Sequence, residues 1–172
     1  MNAAVLTISD SAHRGERQDL SGPLLAQRLR DLGWNIVLTE ILPDDAPRIT
    51  ARLRALTSDL SIHALFTTGG TGVAPRDVTP EAVRPVLSKE IPGLGELMRL
   101  EGLKKTPRAV LSRSIAGLAG STLVLTLPGS PKGAIESLDA VAHLLPHILE
   151  LAAGRTVHPE PSGGNGPAAP SV

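Results

Sequence analysis

Cysteine is absent from this chain and aromatic residues nearly so: there is one tryptophan, one phenylalanine and no tyrosine. Without cysteine there is no disulfide framework, no thiolate metal site and no cysteine nucleophile. Without aromatic side chains, the surface lacks the stacking platforms that bind single-stranded nucleic acids. Seventeen basic and seventeen acidic residues cancel, so no strong positive field attracts nucleic acid either. We therefore expect no nucleic-acid partner.

Long apolar runs are also missing. No stretch approaches the roughly 20 apolar residues that span a bilayer. The N-terminus has no basic segment ahead of its short apolar run, as a secretion signal would have. These absences predict a cytoplasmic protein that does not contact membranes. The 172 residues, 41% of them hydrophobic, suffice for one domain with a core of Leu, Val, Ile and Ala.

Strand and helix patterns alternate along the chain. Short apolar runs predict strands at 3–9, 34–42 and 62–68, with a later strand pair at 108–117 and 121–129. Helical periodicity and capping residues predict helices at 21–33, 47–60, 79–90, 92–105 and 131–153, the last with a kink at Pro146. The alternation predicts a single three-layer α/β domain over 1–154, with a mostly parallel sheet flanked by helices. Residues 155–172, rich in Pro, Gly and Ser, are predicted to be a flexible tail.

Ligands of parallel sheets bind beyond the carboxyl ends of the strands, where the loops gather. The loops that follow the predicted strands should therefore converge. They are residues 9–20, 43–46, 69–78 and 128–132, and they hold most of the polar residues of interest.

Three glycines fall within four positions of the segment "TTGGTG", residues 67–72. A P-loop requires a lysine after its last glycine, and none follows here. A dinucleotide fingerprint requires a third small residue where this chain has Pro75, so binding of NAD is not indicated. Two interpretations stay open: a turn whose backbone N–H groups bind an anion, or a plain strand-to-helix turn.

Asp77 stands beside this turn. A carboxylate next to a phosphate is repelled unless a divalent cation or a proton-donating ligand, such as the N–H face of a pterin, lies between them. The competing interpretation is an aspartate near a helix start that pairs with Arg76 or caps the next turn.

Other loops carry candidates with the same two interpretations. Asp44 and Asp45 follow the second strand, where an aspartate before a helix is also ordinary capping chemistry. Ser9 and Asp10 follow the first strand.

The segment "LPGSPKG", residues 127–133, predicts a helix that begins near Ser130. The N-terminus of such a helix, with Lys132 adding charge, is a candidate second anion site or simply a helix start.

Taken together, the motifs resemble the molybdopterin adenylyltransferase family of molybdenum cofactor biosynthesis, which includes bacterial enzymes and the G domain of gephyrin. The resemblance runs over residues 3–153 and is carried by "LTISDSAHRGERQDLSGPLL", "LPDD", "TTGGTGVAPRDVTPEA", "TPRAVLSRSIAG" and "LPGSPKG". It implies that ATP and molybdopterin react, with Mg²⁺, to give adenylyl-molybdopterin and pyrophosphate. It also implies a homotrimer and a molybdenum insertase as partner. The alternative is a catalytically weak molybdopterin-binding paralogue that acts as a binding or scaffold protein.

The resemblance carries the family's functional residues onto this chain one by one. Its two functional aspartates, which position metal and substrate, match Asp44 and Asp77. The remaining matches form a phosphate loop, a serine near the substrate and a ligand loop: Thr68, Gly69, Gly70, Thr71, Gly72, Ser112, Pro128, Gly129, Ser130 and Pro131. The chain departs from the family at two positions, with Ser130 where asparagine is usual and Gly102 where serine is common.

Overall fold

Six strands form one sheet in the computed structural model, which describes residues 1–155. In chain order they are β1 Asn2–Ile8, β2 Asn35–Leu42, β3 Ala64–Thr68, β4 Lys89–Glu90, β5 Ala116–Ala119 and β6 Thr122–Leu127. Their order across the sheet is β2-β1-β3-β6-β5-β4. The first four in that order run parallel, whereas β5 is antiparallel to both β6 and β4. The predicted mostly parallel α/β sheet is confirmed.

Seven α-helices surround this sheet within the described residues. They are α1 Asp10–His13, α2 Ser21–Asp31, α3 Ala46–Thr57, α4 Thr79–Val83, α5 Pro92–Leu103, α6 Pro131–Val141 and α7 Leu145–Ala152. Short 3₁₀ turns cover Arg84–Val86, Pro107–Leu111 and Ala142–Leu144.

The core lies in two layers because successive strand side chains point to opposite faces. In β1, Ala3 and Val5 join a cluster beneath α2, α5, α6 and α7, whereas Ala4 and Leu6 join a second cluster beneath α3 and α4. The central strands are therefore buried on both faces, which is why they read as continuous apolar runs. In the first cluster the ring of Trp34 meets that of Phe66 edge-on, with centroids 5.5 Å apart.

Two element predictions are wrong in part. The helix predicted over 79–90 ends at Val83, and Lys89–Glu90 instead form a strand. Pro85 explains the early end, because its ring has no N–H and clashes with the carbonyl four residues earlier in a helix. Of the strand predicted over 108–117, the first part is a 3₁₀ turn and only Ala116–Ala119 pairs, as β5.

The helix break near Pro146 was predicted correctly. The predicted kink at Pro146 is confirmed, because the helical run from 131 to 152 is interrupted at 142–144, just before it. The predicted tail falls almost entirely outside the described residues.

Candidate functional site

The four predicted loops do converge at the carboxyl ends of β1, β2, β3 and β6. The backbone N–H of Asp10 donates to Asp44 Oδ2 (2.8 Å), and that of Asp44 donates to Asp10 Oδ1 (3.1 Å), which joins the loops after β1 and β2. Arg76, in the loop after β3, donates to Asp10 Oδ2 (2.7 Å). Thr68 Oγ1 donates to the carbonyl of Pro128 (2.7 Å), which joins the loops after β3 and β6.

The turn after β3 can be made only by glycine. Gly69 has φ 109° and Gly70 has φ 62°, both in the left-handed region. A Cβ on Gly69 would lie 2.1 Å from the carbonyl oxygen of Ile8 in β1, and one on Gly70 would lie 2.3 Å from Thr79 Oγ1. The positive φ values, with backbone close to Gly69 and the Thr79 side chain close to Gly70, thus account for the glycines at these positions.

Thr79 fastens this turn to α4. Val78 occupies the N-cap position of α4, and Thr79 is the first helical residue. Its hydroxyl donates to the carbonyl of Gly69 (2.9 Å), and its N–H donates to that of Gly70 (3.0 Å). Both turn carbonyls are thereby satisfied inside the protein.

The N–H groups of the turn, by contrast, have no protein acceptor. Within residues 1–155, those of Gly70, Thr71 and Gly72 donate to no other residue. Three consecutive backbone donors without partners form the kind of concavity that binds anions. The geometry favours the anion-binding interpretation over the plain turn.

Asp77 is held by its own loop. Its Oδ2 accepts a hydrogen bond from the N–H of Ala74 (2.7 Å), and its N–H donates to the carbonyl of Ala74 (2.9 Å). The alternative pairing with Arg76 does not occur, because that guanidinium binds Asp10. Oδ1 of Asp77 accepts no hydrogen bond from the described residues, so it is available to a ligand.

Asp44 does not cap a helix, because its neighbour Asp45 has that role. Asp45 is the N-cap of α3 and accepts the N–H of Arg48 (2.9 Å). Asp44 is half-buried, and burial raises the pKa of its carboxyl above the ordinary value, with the charges of Asp10 and Asp77 adding to that rise. Its Oδ1 accepts no hydrogen bond from the part of the chain described.

Asp10 differs from Asp44 because it has a cation beside it. The hydrogen bond from Arg76 holds the pKa of the Asp10 carboxyl below its ordinary value. Asp10 is thus an ionised acceptor that orients the backbone of Asp44 rather than a free group.

Asp44 and Asp77 are the carboxylates that could hold a magnesium ion. Each has one oxygen fixed by a backbone N–H and one oxygen free. Residues 1–155 contain no cluster of three or more His, Asp or Glu side chains able to hold a metal ion. Mg²⁺ commonly binds one or two carboxylates and completes its octahedron with waters and substrate phosphates, which suits this donor set.

A cavity of about 540 Å³ lies in front of the glycine turn. Eight of the predicted site residues line it: Gly70, Thr71, Gly72, Asp77, Ser112, Pro128, Gly129 and Ser130. Its volume is in the range of small-molecule sites. The tertiary structure therefore brings together the glycine turn, Asp77, the serine at 112 and the start of α6.

Seven predicted residues lie outside that lining: Ser9, Asp10, Asp44, Thr68, Gly69, Pro131 and Lys132. Ser9 caps α1 by accepting the N–H of Ala12 (3.3 Å), and Thr68 is fully buried. Pro131 begins α6. Lys132 extends into solvent with 83% of its side chain exposed, 3.9 Å from Glu136.

Sequence reasoning missed the opposite wall of the cavity, which α5, the turn after it and α6 provide. Residues from these elements include Met98, Arg99, Arg108, Leu111, Glu136 and Ser137. Arg99 donates to the carbonyls of Ser112 and Ser114 (both 3.3 Å). Arg108 lies within a segment that carried the family resemblance, but no spacing rule marks either arginine.

The structure shows what surrounds the two positions that depart from the family pattern. Ser130 caps α6, accepting the N–H of Gly133 at 3.2 Å, so its hydroxyl is already engaged. A Cβ on Gly102 would lie 2.7 Å from the Cβ of Ala109, so a serine there would require the turn after α5 to shift.

Comparison with known proteins places this geometry in context. The family model described as "Probable molybdopterin binding domain" matches residues 4–147. A curated molybdopterin adenylyltransferase from Helicobacter pylori strain J99 is 39% identical over 156 residues, which are 90% of this chain and 89% of that protein. The crystal structure of the molybdopterin biosynthesis enzyme MoaB from Thermus thermophilus superimposes with a TM-score of 0.84 at 50% identity, covering 89% of this chain and 96% of that one.

One curated relative is much longer. The molybdenum cofactor synthesis protein cinnamon of Drosophila melanogaster is 45% identical over 148 residues, or 86% of this chain, yet the match spans only 25% of the fly protein. As to membranes, none of the helices in residues 1–155 has the length and apolarity needed for a crossing.

Proposed function

The chain belongs to the family of molybdopterin-binding domains of molybdenum cofactor biosynthesis, and from that premise we propose that it transfers the adenylyl group of ATP to molybdopterin. In this reaction an oxygen of the terminal phosphate of molybdopterin attacks the α-phosphorus of ATP. The bond from that phosphorus to the β-phosphate breaks, and pyrophosphate leaves. The products are adenylyl-molybdopterin and pyrophosphate.

The observation that carries the proposal is a set of free donors and acceptors around the glycine turn, which borders the cavity. The N–H groups of residues 70–72 have no protein acceptor, and the free Oδ1 of Asp77 lies 3.8 Å from the position that a Cβ on Gly72 would occupy. The free Oδ1 of Asp44 lies 3.1 Å from the position that a Cβ on Gly70 would occupy. Nucleotidyl transfer asks little covalent chemistry of a protein, because it requires mainly that two anions be held in line and their charge be neutralised. These groups are of the types that such a task needs.

Each part of the site then has a role. The turn at 70–72 binds a phosphate through backbone N–H groups, and the N-terminus of α6 beyond Gly129 offers a second anion position. Asp44 and Asp77 hold Mg²⁺ or the N–H face of the pterin through their free oxygens. Mg²⁺, when bound, supplies positive charge at the reacting phosphates. Arg99 and Arg108 add cations on the opposite wall.

The remaining parts of the proposal concern the setting of the protein. We propose that the chain acts in the cytoplasm as a homotrimer, which sedimentation equilibrium tests as a particle of three times the 17.9 kDa chain mass. A molybdenum insertase is the proposed partner that uses its product, a link suggested by the match to part of the longer molybdenum cofactor synthesis protein of the fly. Co-purification with such an insertase would test this partnership.

Product formation is the direct test of the activity. The protein is incubated with molybdopterin, ATP and Mg²⁺, and adenylyl-molybdopterin is measured. We expect product that depends on both substrates. A folded sample that binds molybdopterin but forms no product would refute the adenylyltransferase and leave a molybdopterin-binding protein.

A further inference from the structure

The loop that carries Asp77 has few bonds of its own. Between Gly72 and Val78, the only internal hydrogen bonds join Ala74 and Asp77. Val73 is 68% exposed, and the side chain of Arg76 is 66% exposed. Segments with so few buried contacts open readily unless something outside them holds them.

Two side chains supply such contacts: Arg76 reaches out of the loop to Asp10, and Arg113 reaches in from the segment before β5. Arg113 makes the larger number of bonds to the loop backbone. Its backbone N–H donates to the carbonyl of Thr71 (2.8 Å). Its guanidinium donates from Nε to the carbonyl of Gly72 (2.6 Å) and from Nη2 to the carbonyl of Asp77 (2.5 Å). Its Nη1 forms an ion pair with Glu81 in α4. One side chain therefore joins both ends of the loop and the helix that follows.

Arg113 reaches the loop from outside the substrate cavity. The lining of that cavity includes its neighbour Ser112, whereas Arg113 borders a separate cavity of about 240 Å³. From this placement we propose that Arg113 is a positioning residue, which fixes the loop so that the N–H groups of the turn and the free oxygen of Asp77 stay directed at the substrates. The effect on turnover rests on the proposed function.

Arginine is suited to this task in a way that lysine is not. The guanidinium is a rigid plane with five donors, so it can satisfy two carbonyls and one carboxylate in different directions at once. A lysine ammonium is a single point charge with three donors on one nitrogen. Arg113→Lys therefore keeps the positive charge but loses the simultaneous contacts, which separates positioning from a general electrostatic effect.

The test combines amide hydrogen exchange with kinetics on the whole chain. We compare wild type with Arg113→Lys and with Glu81→Gln, which retains an acceptor oxygen but loses the charge. The matched control is Arg28→Lys, because Arg28 pairs with Asp139 (2.8 Å) between α2 and α6, away from the loop. Exchange is read in peptides covering 71–78, together with kcat and KM for molybdopterin and the affinity for it.

For Arg113→Lys we expect exchange at 71–78 to quicken by about 10-fold. We expect kcat to fall by about 10- to 100-fold, because a displacement of about 1 Å at the reacting groups costs that much. The KM for molybdopterin should stay within about 3-fold, since the change falls on transition-state contacts. Glu81→Gln should quicken exchange by a smaller factor at the same amides. Arg28→Lys should leave exchange at 71–78, kcat and KM at their wild-type values.

The outcomes distinguish the two proposals. A fall in kcat with unchanged exchange at 71–78 would mean that Arg113 acts on the reaction directly, and positioning would be wrong. Quicker exchange with unchanged kcat and unchanged molybdopterin affinity would show that the loop needs no such support. If Arg113→Lys does not fold, unchanged exchange in Glu81→Gln refutes the proposal. A wild type without adenylyl transfer refutes the proposed function alone, and exchange at 71–78 in Arg113→Lys still decides whether Arg113 fixes the loop.

Discussion

At the residue scale, the adjacent carboxylates Asp44 and Asp45 have different roles because their contacts differ. Asp45 stabilises the first turn of α3 as its N-cap, a role that needs no particular chemistry beyond an acceptor oxygen. Asp44 is half-buried beside another acidic residue, Asp10, and burial raises the pKa of its carboxyl. A charge placed where it costs stability is characteristic of functional sites rather than of folding.

Asp44→Asn is therefore expected to gain or keep stability while losing activity. The folded pKa of Asp44 is raised above its unfolded value, so the stability it contributes is full below the unfolded pKa, near 3.8, and is lost as pH rises through the folded pKa. Asparagine does not titrate and still accepts the N–H of Asp10. Near pH 7 its melting temperature should be equal to that of wild type or up to about 4 °C higher. Below the unfolded pKa that advantage should vanish.

Thermal unfolding at several pH values, with turnover measured beside it, checks this prediction. Turnover of Asp44→Asn should fall by at least ~10-fold, the effect of about 1.4 kcal/mol in the barrier. Asp45→Asn is the matched control, since asparagine caps helices as well as aspartate does, and both quantities should stay at wild-type values. A melting temperature clearly below that of wild type near pH 7 would contradict the account of Asp44.

Asp77→Asn probes the other carboxylate. The fold should be retained, because the amide oxygen still accepts the N–H of Ala74. Turnover should decrease by at least ~10-fold, since the charge proposed to contact metal or pterin is gone. Circular dichroism and the rate of adenylyl-molybdopterin formation are the measurements. An unchanged rate would remove Asp77 from the mechanism.

At the element scale, the strand-turn-helix unit from β3 to α4 positions the N–H groups of residues 70–72 and the side chain of Asp77. The turn after β3 approaches the end of β1 so closely that the carbonyl of Ile8 occupies the space of a side chain at Gly69. Thr79 then satisfies both carbonyls of the turn. Thr79 binds only the carbonyls of the turn. The N–H groups of residues 70–72 are therefore left without partners in α4.

Gly69→Ala should disrupt this unit. Its methyl group would meet backbone atoms of β1, which cannot rotate away, and φ 109° is unfavourable for alanine. We expect a loss of about 2–5 kcal/mol in the free energy of unfolding, the sum of backbone strain and overpacking. Urea denaturation measures it.

Gly15→Ala is the control for this prediction. Gly15 also has a positive φ, 73°, but a Cβ there meets nothing within 4 Å. Gly15→Ala should lower the free energy of unfolding only by the cost of the left-handed backbone conformation, about 1–2 kcal/mol. Equal losses at the two positions would show that the contact with Ile8 does not matter.

At the scale of the whole molecule, a two-layer core supports the candidate site at the carboxyl ends of the central strands. Both faces of β1, β3 and β6 are buried, so the ends of these strands are held firmly. The loops beyond them are tied together by the contacts among Asp10, Asp44 and Arg76. The site is thus supported by the fold without a metal cluster among residues 1–155.

Removal of metal should for that reason affect activity and not the fold. With EDTA, turnover is expected to fall by at least ~100-fold, because charge at the reacting phosphates is no longer neutralised. Readdition of Mg²⁺ should restore it. Without substrates, Mg²⁺ should change the melting temperature by less than about 1 °C, since two carboxylates alone bind it weakly and weak binding stabilises little. A large shift in melting temperature would indicate a structural metal site.

The local sequence was enough to determine the elements whose signal lies in adjacent residues. The first three strands, the paired strand β6, the break before Pro146 and the gathering of four loops all follow from apolar runs, proline chemistry and alternation. Where local signals conflicted, prediction failed: the helix expected over 79–90 ended before Pro85, and of the strand expected over 108–117 the first four residues lie in a 3₁₀ turn and only the last two in a strand.

Only the tertiary structure decided which groups are engaged and which are free. The glycine cluster and its aspartate were visible in the sequence, but as either an anion site or a plain turn. The deciding contacts join residues far apart in the chain: Asp10 to Asp44 across 34 positions, Arg113 to Gly72 across 41, and Arg76 to Asp10 across 66. No periodicity reports such a pairing, because it depends on the order of the strands in the sheet and not on neighbours along the chain.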